Sequence, residues 1–215
     1  MSQSDRGRSA DQISLGGAAL LRDRGGHRSF IRVEEFEADA ERWARRQLGM
    51  VHRPDPVRGL PLAAYRKLKL RPSRVIEAEG NVVTDAGWQL LMKNAAGTAG
   101  TLFSATVGRI GLGSTAATPA YADTDLAAAT GATTRQWQLI SSTPTVGSTH
   151  GAGLVFSATF GTGVANFHAQ EWGTDQGTAS GTGASVSVFF NHGASDLGTK
   201  TSALSWAVTI TITWT

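Results

Sequence analysis

The chain has 215 residues, 26 of them glycine, no cysteine, and a formal net charge of +3. That length fits one domain with an extension, or two small domains. The missing cysteines exclude a disulfide framework and any thiolate metal site, and fit assembly in a reducing cytoplasm.

No run of about 18 apolar residues occurs, so no membrane-spanning helix is expected. The polar stretch Met1 to Asp11 lacks an apolar signal core. Charge is unevenly spread. Residues 1–80 hold 16 Lys and Arg against 11 Asp and Glu, and residues 81–215 hold 4 against 6. A basic front suits docking on an acidic surface, whether nucleic acid or a protein shell. A solvated helical face is the plainer alternative.

Residues 1–28 are rich in Gly, Ser and Arg and read as an arm that orders only against a partner. Ser29 to Val33 is a short extended candidate. Residues 34–48 read as a helix, with Phe36, Ala40, Trp43 and Gln47 on one stripe. Its acids lead and its arginines follow, which complements the helix dipole. Glu41 and Arg45 form a favourable i,i+4 pair, and Gly49 is the stop signal.

Residues 50–75 hold Pro54, Pro56, Pro61 and Pro72. Proline at this density breaks long regular elements, so the segment reads as an extended basic strap. Arg58, Arg66, Lys67, Lys69, Arg71 and Arg74 are its candidate partner-docking residues. Leu68 and Leu70 could tuck into a partner groove.

Thr84 can cap a helix. Trp88, Leu91, Met92 and Ala95 then repeat at helical spacing, which places a short helix at about 84–95. From residue 99 the period becomes two. Leu154, Phe156, Ala158 and Phe160 alternate with smaller residues, as do Ala184, Val186, Val188 and Phe190. In the last run, Leu204, Trp206, Val208, Ile210, Ile212 and Trp214 share one face. Ser205, Ala207 and the threonines to Thr215 share the other. That is a half-buried antiparallel strand. Further strands are expected at 105–112, 134–142 and 165–172, separated by glycine turns such as those at Gly147 and Gly161.

The predicted fold class is therefore mainly β: an antiparallel sandwich or jelly-roll-like domain over residues 79–215, led by a short helix. Residues 1–78 form an α-helical and extended basic N-terminal segment before it.

Few constellations offer chemistry. His150, His168 and His192 lie near Glu171, Asp175 and Asp196 in sequence, but no close His pair or metal-site spacing occurs. Surface or turn histidines are the expectation. Asp123 and Asp125 read as turn caps. In Glu171-Trp172-Gly173, the Trp is expected to fill the core and the Glu to accept neighbouring backbone N–H groups. The glycines near Gly111 and Gly181 match neither a P-loop nor a dinucleotide fingerprint. No catalytic residue, metal ligand or cofactor site is expected. Trp137 and Trp172 are the aromatics that a glycan-binding or interface face would use.

Several runs resemble tailed-bacteriophage virion structural proteins. Gly80-Asn81-Val82-Val83-Thr84-Asp85-Ala86-Gly87 opens the series, followed by Gly111-Leu112-Gly113-Ser114-Thr115-Ala116-Ala117-Thr118-Pro119 and Thr124-Asp125-Leu126-Ala127-Ala128-Ala129-Thr130. Phe156-Ser157-Ala158-Thr159-Phe160-Gly161, Ala165-Asn166-Phe167, Glu171-Trp172-Gly173, Asn191 and Leu197-Gly198-Thr199-Lys200-Thr201-Ser202 continue in order. The similarity covers about residues 78–215.

The resemblance implies a non-enzymatic virion component, either a capsid decoration or cement protein or a minor tail, neck or fibre-base protein. Its expected partners are major capsid or tail subunits and further copies of itself, as a trimer or higher. No membrane or nucleic-acid partner is expected. A carbohydrate-binding host-attachment module is the rival reading.

Overall fold

A computed structural model describes residues 27–50, 55–98, 103–146, 153–185 and 187–214. The arm up to residue 26, Pro54, Gly147, His150, Val186 and Thr215 lie outside the described residues. Two five-stranded antiparallel sheets face each other, as the alternating sequence predicts. Sheet A runs β2 (Arg74–Glu79), β1 (His27–Glu37), β10 (Leu204–Trp214), β7 (Gly153–Phe160), β6 (Thr145–Val146). Sheet B runs β3 (Asn81–Val83), β9 (Phe189–Thr199), β8 (His168–Asp175), β4 (Arg109–Gly113), β5 (Arg135–Leu139).

Between them lies one apolar core. Sheet A supplies Ile31, Val33, Phe156, Phe160, Trp206, Val208, Ile210 and Ile212; sheet B supplies Val83, Ile110, Leu112, Trp172, Phe190 and Leu197. The period-two face of the last strand is thus the core face. Helix α3 (Asp85–Ala95) closes one side, and Thr84 caps it by accepting the Gly87 N–H at 3.1 Å. Its buried side is Gly87 and Leu90, with Trp88 and Leu91 packed on the core; Met92 points to solvent. A Cβ on Gly87 would overlap the Phe190 carbonyl, so the helix can lie this close to β9 only as glycine.

The front of the chain departs from expectation. Residues 27–37 form one continuous strand, extending past the expected Val33. Its register with β10 runs unbroken from His27↔Trp214 to Glu37↔Leu204. Eleven paired positions outweigh the helical preference of Glu34 to Glu37, so helix α1 starts at Ala38 and ends at Gln47. Gly49 ends it in a left-handed conformation (φ 66°), and the Met50 N–H bonds to the Arg45 carbonyl. Because β1 lies between β2 and β10, sheet A runs across the expected boundary at residue 78.

The strap is also not simply extended. Helix α2 (Leu62–Lys67) begins directly after Pro61, a position where a missing N–H costs the helix nothing. Phe36, Ala44, Leu60, Leu62, Tyr65 and Ala207 form a second core on the outer face of sheet A. Phe36 and Tyr65 stack with ring centroids 3.8 Å apart. Leu68 and Leu70 pack on this cluster and do not project outward for a partner. The buried side of α1 is Glu41, Ala44 and Arg45, not the Ala40–Trp43 stripe. Arg45 pairs with Glu41 at 2.8 Å, and the Ser205 hydroxyl donates to the same carboxylate. Residues 56–59 are tied down by Gly161 N–H to Val57 O (3.0 Å) and Gly163 N–H to Pro56 O (2.7 Å).

Candidate functional site

The two outer faces of the sandwich carry different chemistry. On sheet A, α1, α2 and their flanking turns make a lid held from below by the second core. Its upper surface is basic. Arg58, Arg66, Lys67, Lys69, Arg71 and Arg74 are all exposed, as are Arg42 and Arg46 of α1.

Arg42 pairs with Asp39 of its own helix, and two of the strap's cations are partly engaged. Arg66 lies 3.6 Å from Glu34, and Arg74 lies 3.8 Å from Glu35. Both arginines are exposed, and ion pairs this long contribute little. Arg58, Lys67, Lys69 and Arg71 pair with no acid among the described residues. Lys69 takes a left-handed conformation (φ 54°) where α2 ends, and the Leu70 N–H returns to the Tyr65 carbonyl.

Sequence reasoning assigned Trp43 to the apolar stripe of a helix. The structure leaves it 40% exposed on this lid, beside Arg42 and Arg46. The two aromatics expected to present a glycan or interface face are instead inside. Trp137 and Trp172 are both 0% exposed. Trp172 fills the main core, as expected of its neighbour Glu171's motif. Trp137 packs with Leu126 and Phe189 under a loop.

That loop, residues 114–134, lies over the outer face of sheet B and seals a buried polar seam. Glu171, fully buried, accepts the N–H groups of Ala127 (2.8 Å) and Ala128 (2.6 Å), which matches the reading of it as a backbone acceptor. Arg135 reaches Asp125 at 2.7 Å and donates to the carbonyls of Leu126 and Ala128. Arg109 pairs with Asp175 through two nitrogens, one at 2.8 Å, and its guanidinium sits 4.8 Å from the Trp137 ring. Ser185 closes the seam, its N–H on Asp125 and its hydroxyl on Asp175. Asp123 and Asp125 do cap turns, accepting Ala120 N–H and Leu126 N–H.

The glycines of Gly111-Leu112-Gly113 make room for this seam. A Cβ on Gly111 would overlap the Trp137 ring, and one on Gly113 would overlap the Glu171 carboxylate. Three of the runs that carry the resemblance, at 111–119, 124–130 and 171–173, therefore meet at one place.

His192 corrects the expectation of surface or turn histidines. It is 1% exposed, with Nδ1 2.6 Å from Asp123 and Nε2 3.0 Å from Glu171. Burial disfavours its charged form, but the bonds to Glu171 and Asp123 outweigh that and raise its pKa. His168 is exposed and lies 3.1 Å from Asp196. Lys200, like Arg109 and Arg135, is a buried cation that the sequence pattern does not reveal. Its ammonium donates to the carbonyls of Gly161 (2.8 Å) and Val164 (2.9 Å) and to Asn166 Oδ1 (3.0 Å). Burial lowers its pKa to about 8, although the nearby Glu41 acts in the opposite direction.

The seam and the Lys200 cage hold loops through buried ion pairs and hydrogen bonds to loop backbone groups. The lid is where charge is left free to meet another molecule. Compared with protein-family models, curated proteins and solved structures, the chain gives no match.

Proposed function

We propose that the protein is a non-enzymatic structural component of a tailed-phage particle, docking through its basic lid onto acidic capsid or tail subunits. The observation that carries the reading is the lid itself. Four cations that pair with no acid among the described residues stand on a segment anchored by buried Leu60, Leu62 and Tyr65. Arg and Lys presented this way suit carboxylates, Arg through its planar fork. The described part of the strap is already folded onto sheet A, so docking need not order it first. Repetition around a symmetric particle would multiply modest contacts.

Within this class, a capsid decoration or cement role is the first reading and a minor tail, neck or fibre-base role the second. A glycan-binding module has less support, since Trp137 and Trp172 offer no stacking face.

The test is a variant with Lys67→Glu, Lys69→Glu and Arg71→Glu. It should melt like the parent and fail to enter particles. Normal incorporation of a folded variant would overturn the docking reading.

A further inference from the structure

We propose that the loop of residues 114–134 is a proton-held cover over the outer face of sheet B, with His192 as its latch. This stands apart from the docking reading, which concerns the opposite face.

A neutral imidazole has one N–H and one bare nitrogen. Both nitrogens of His192 face carboxylate oxygens, of Asp123 and of Glu171. Only the doubly protonated ring donates to both; in either neutral form one bare nitrogen would face a carboxylate lone pair. Asp123 belongs to the loop, Glu171 to β8 and His192 to β9. The imidazolium is therefore the ionic link at the Asp123 end of the cover, beside the Arg135–Asp125 pair.

Among the described residues, the other cations of the seam are already paired. Asp125 of the loop is held by Arg135 of β5, and Asp175 of β8 by Arg109 of β4. The neighbouring α3 brings Asp85, whose backbone N–H bonds to the loop carbonyl of Tyr121 at 2.8 Å; its acid adds no positive charge. From β9, Phe189 packs on the His192 ring at 5.5 Å. Deprotonation would leave the buried Glu171 and the partly exposed Asp123 sharing a neutral ring.

The cover then loosens. Its apolar plug, Leu126, would lift from Trp137 and Phe189, all three of which are now buried. The sign follows from the raised pKa of the folded state. The latch is complete below the ordinary histidine value of about 6.5 and is lost as pH rises through the folded value.

The experiment is nuclear magnetic resonance on the full ¹⁵N-labelled chain, titrated from about pH 6 to about pH 9. Both His192 nitrogens should be protonated at the low end and titrate with a midpoint above about 6.5. Over the same range, the hydrogen-exchange protection factors of the Ala127 and Ala128 amides should fall about tenfold or more. Those of Val208 and Ile210 in β10 should hold. A His192→Gln variant should lose the pH step. A neutral His192 at the low end, or loop protection that does not follow its titration in the parent protein, would overturn the latch.

Discussion

Gly113 and Glu171 face each other across the β4–β8 ladder, and the Glu171 carboxylate fills the space that a side chain at residue 113 would need. Gly113→Ala should push that carboxylate off the Ala127 and Ala128 amides, at a cost of about 2–3 kcal/mol. Gly181 sits in an equally glycine-rich turn, but nothing lies within 4 Å of where its Cβ would be. Gly181→Ala should change stability by no more than about 0.5 kcal/mol. Urea denaturation of the two variants separates a glycine required for space from one that merely occupies a turn.

The Arg109–Asp175 pair ties β4 to β8 with both side chains almost fully buried. Asp175→Ala would strand the guanidinium and also release the Gly177 N–H and the Ser185 hydroxyl. We expect a loss of about 3–5 kcal/mol, and a smaller loss when Arg109→Met is added, because the uncompensated charge is then gone. Equal losses for single and double variants in a denaturation series would contradict this.

Lys200 gives a pH signature. Its folded-state pKa of about 8 lies below the ordinary 10.5. Below about pH 8 the amine is charged folded or unfolded, and the folded state bears the full cost of burying it. From about 8 to about 10.5 the unfolded chain binds more protons, so the contribution to stability rises with pH. Lys200→Met should lose about 1–3 kcal/mol near neutrality, from the carbonyls left without a donor. It should also lack that alkaline rise. Denaturation at a series of pH values, parent against variant, checks both.

The lid should be dispensable for folding. Trp43→Ala, at a surface position of α1, should leave the melting curve within about 0.5 kcal/mol of the parent. If the lid docks as proposed, the same change should weaken attachment by about 2 kcal/mol, the scale of an interfacial tryptophan anchor. Co-sedimentation with particles measures the second effect and a thermal melt the first. Unchanged attachment would remove Trp43 from the interface.

The β architecture was legible because it rests on period-two alternation. The face from Leu204 to Trp214 is read directly, and the Thr84 cap needs only its own residues. The front was harder. Glu34 to Glu37 favour a helix locally, yet β10 lies 170 residues away in sequence and pairs with them throughout. Alternation also cannot reveal that the outer faces are covered. That is why Trp137 looked available and why Leu68 and Leu70 seemed free to dock elsewhere.

The buried seam left one sign in composition. Residues 81–215 contain just Lys93, Arg109, Arg135 and Lys200 as cations. Three of these are almost fully buried. In so uncharged a stretch, a lone cation is retained because something inside needs it. Which acid each one meets depends on strand order, and spacing does not encode that order.

Quantitative mass spectrometry of purified virions, with this chain measured against the major capsid protein, decides whether the chain is a particle component. A virion component should be present at a fixed stoichiometry: tens to hundreds of copies for a decoration protein, or about three to twelve for a tail or neck component. Absence of the chain from the particles would contradict it.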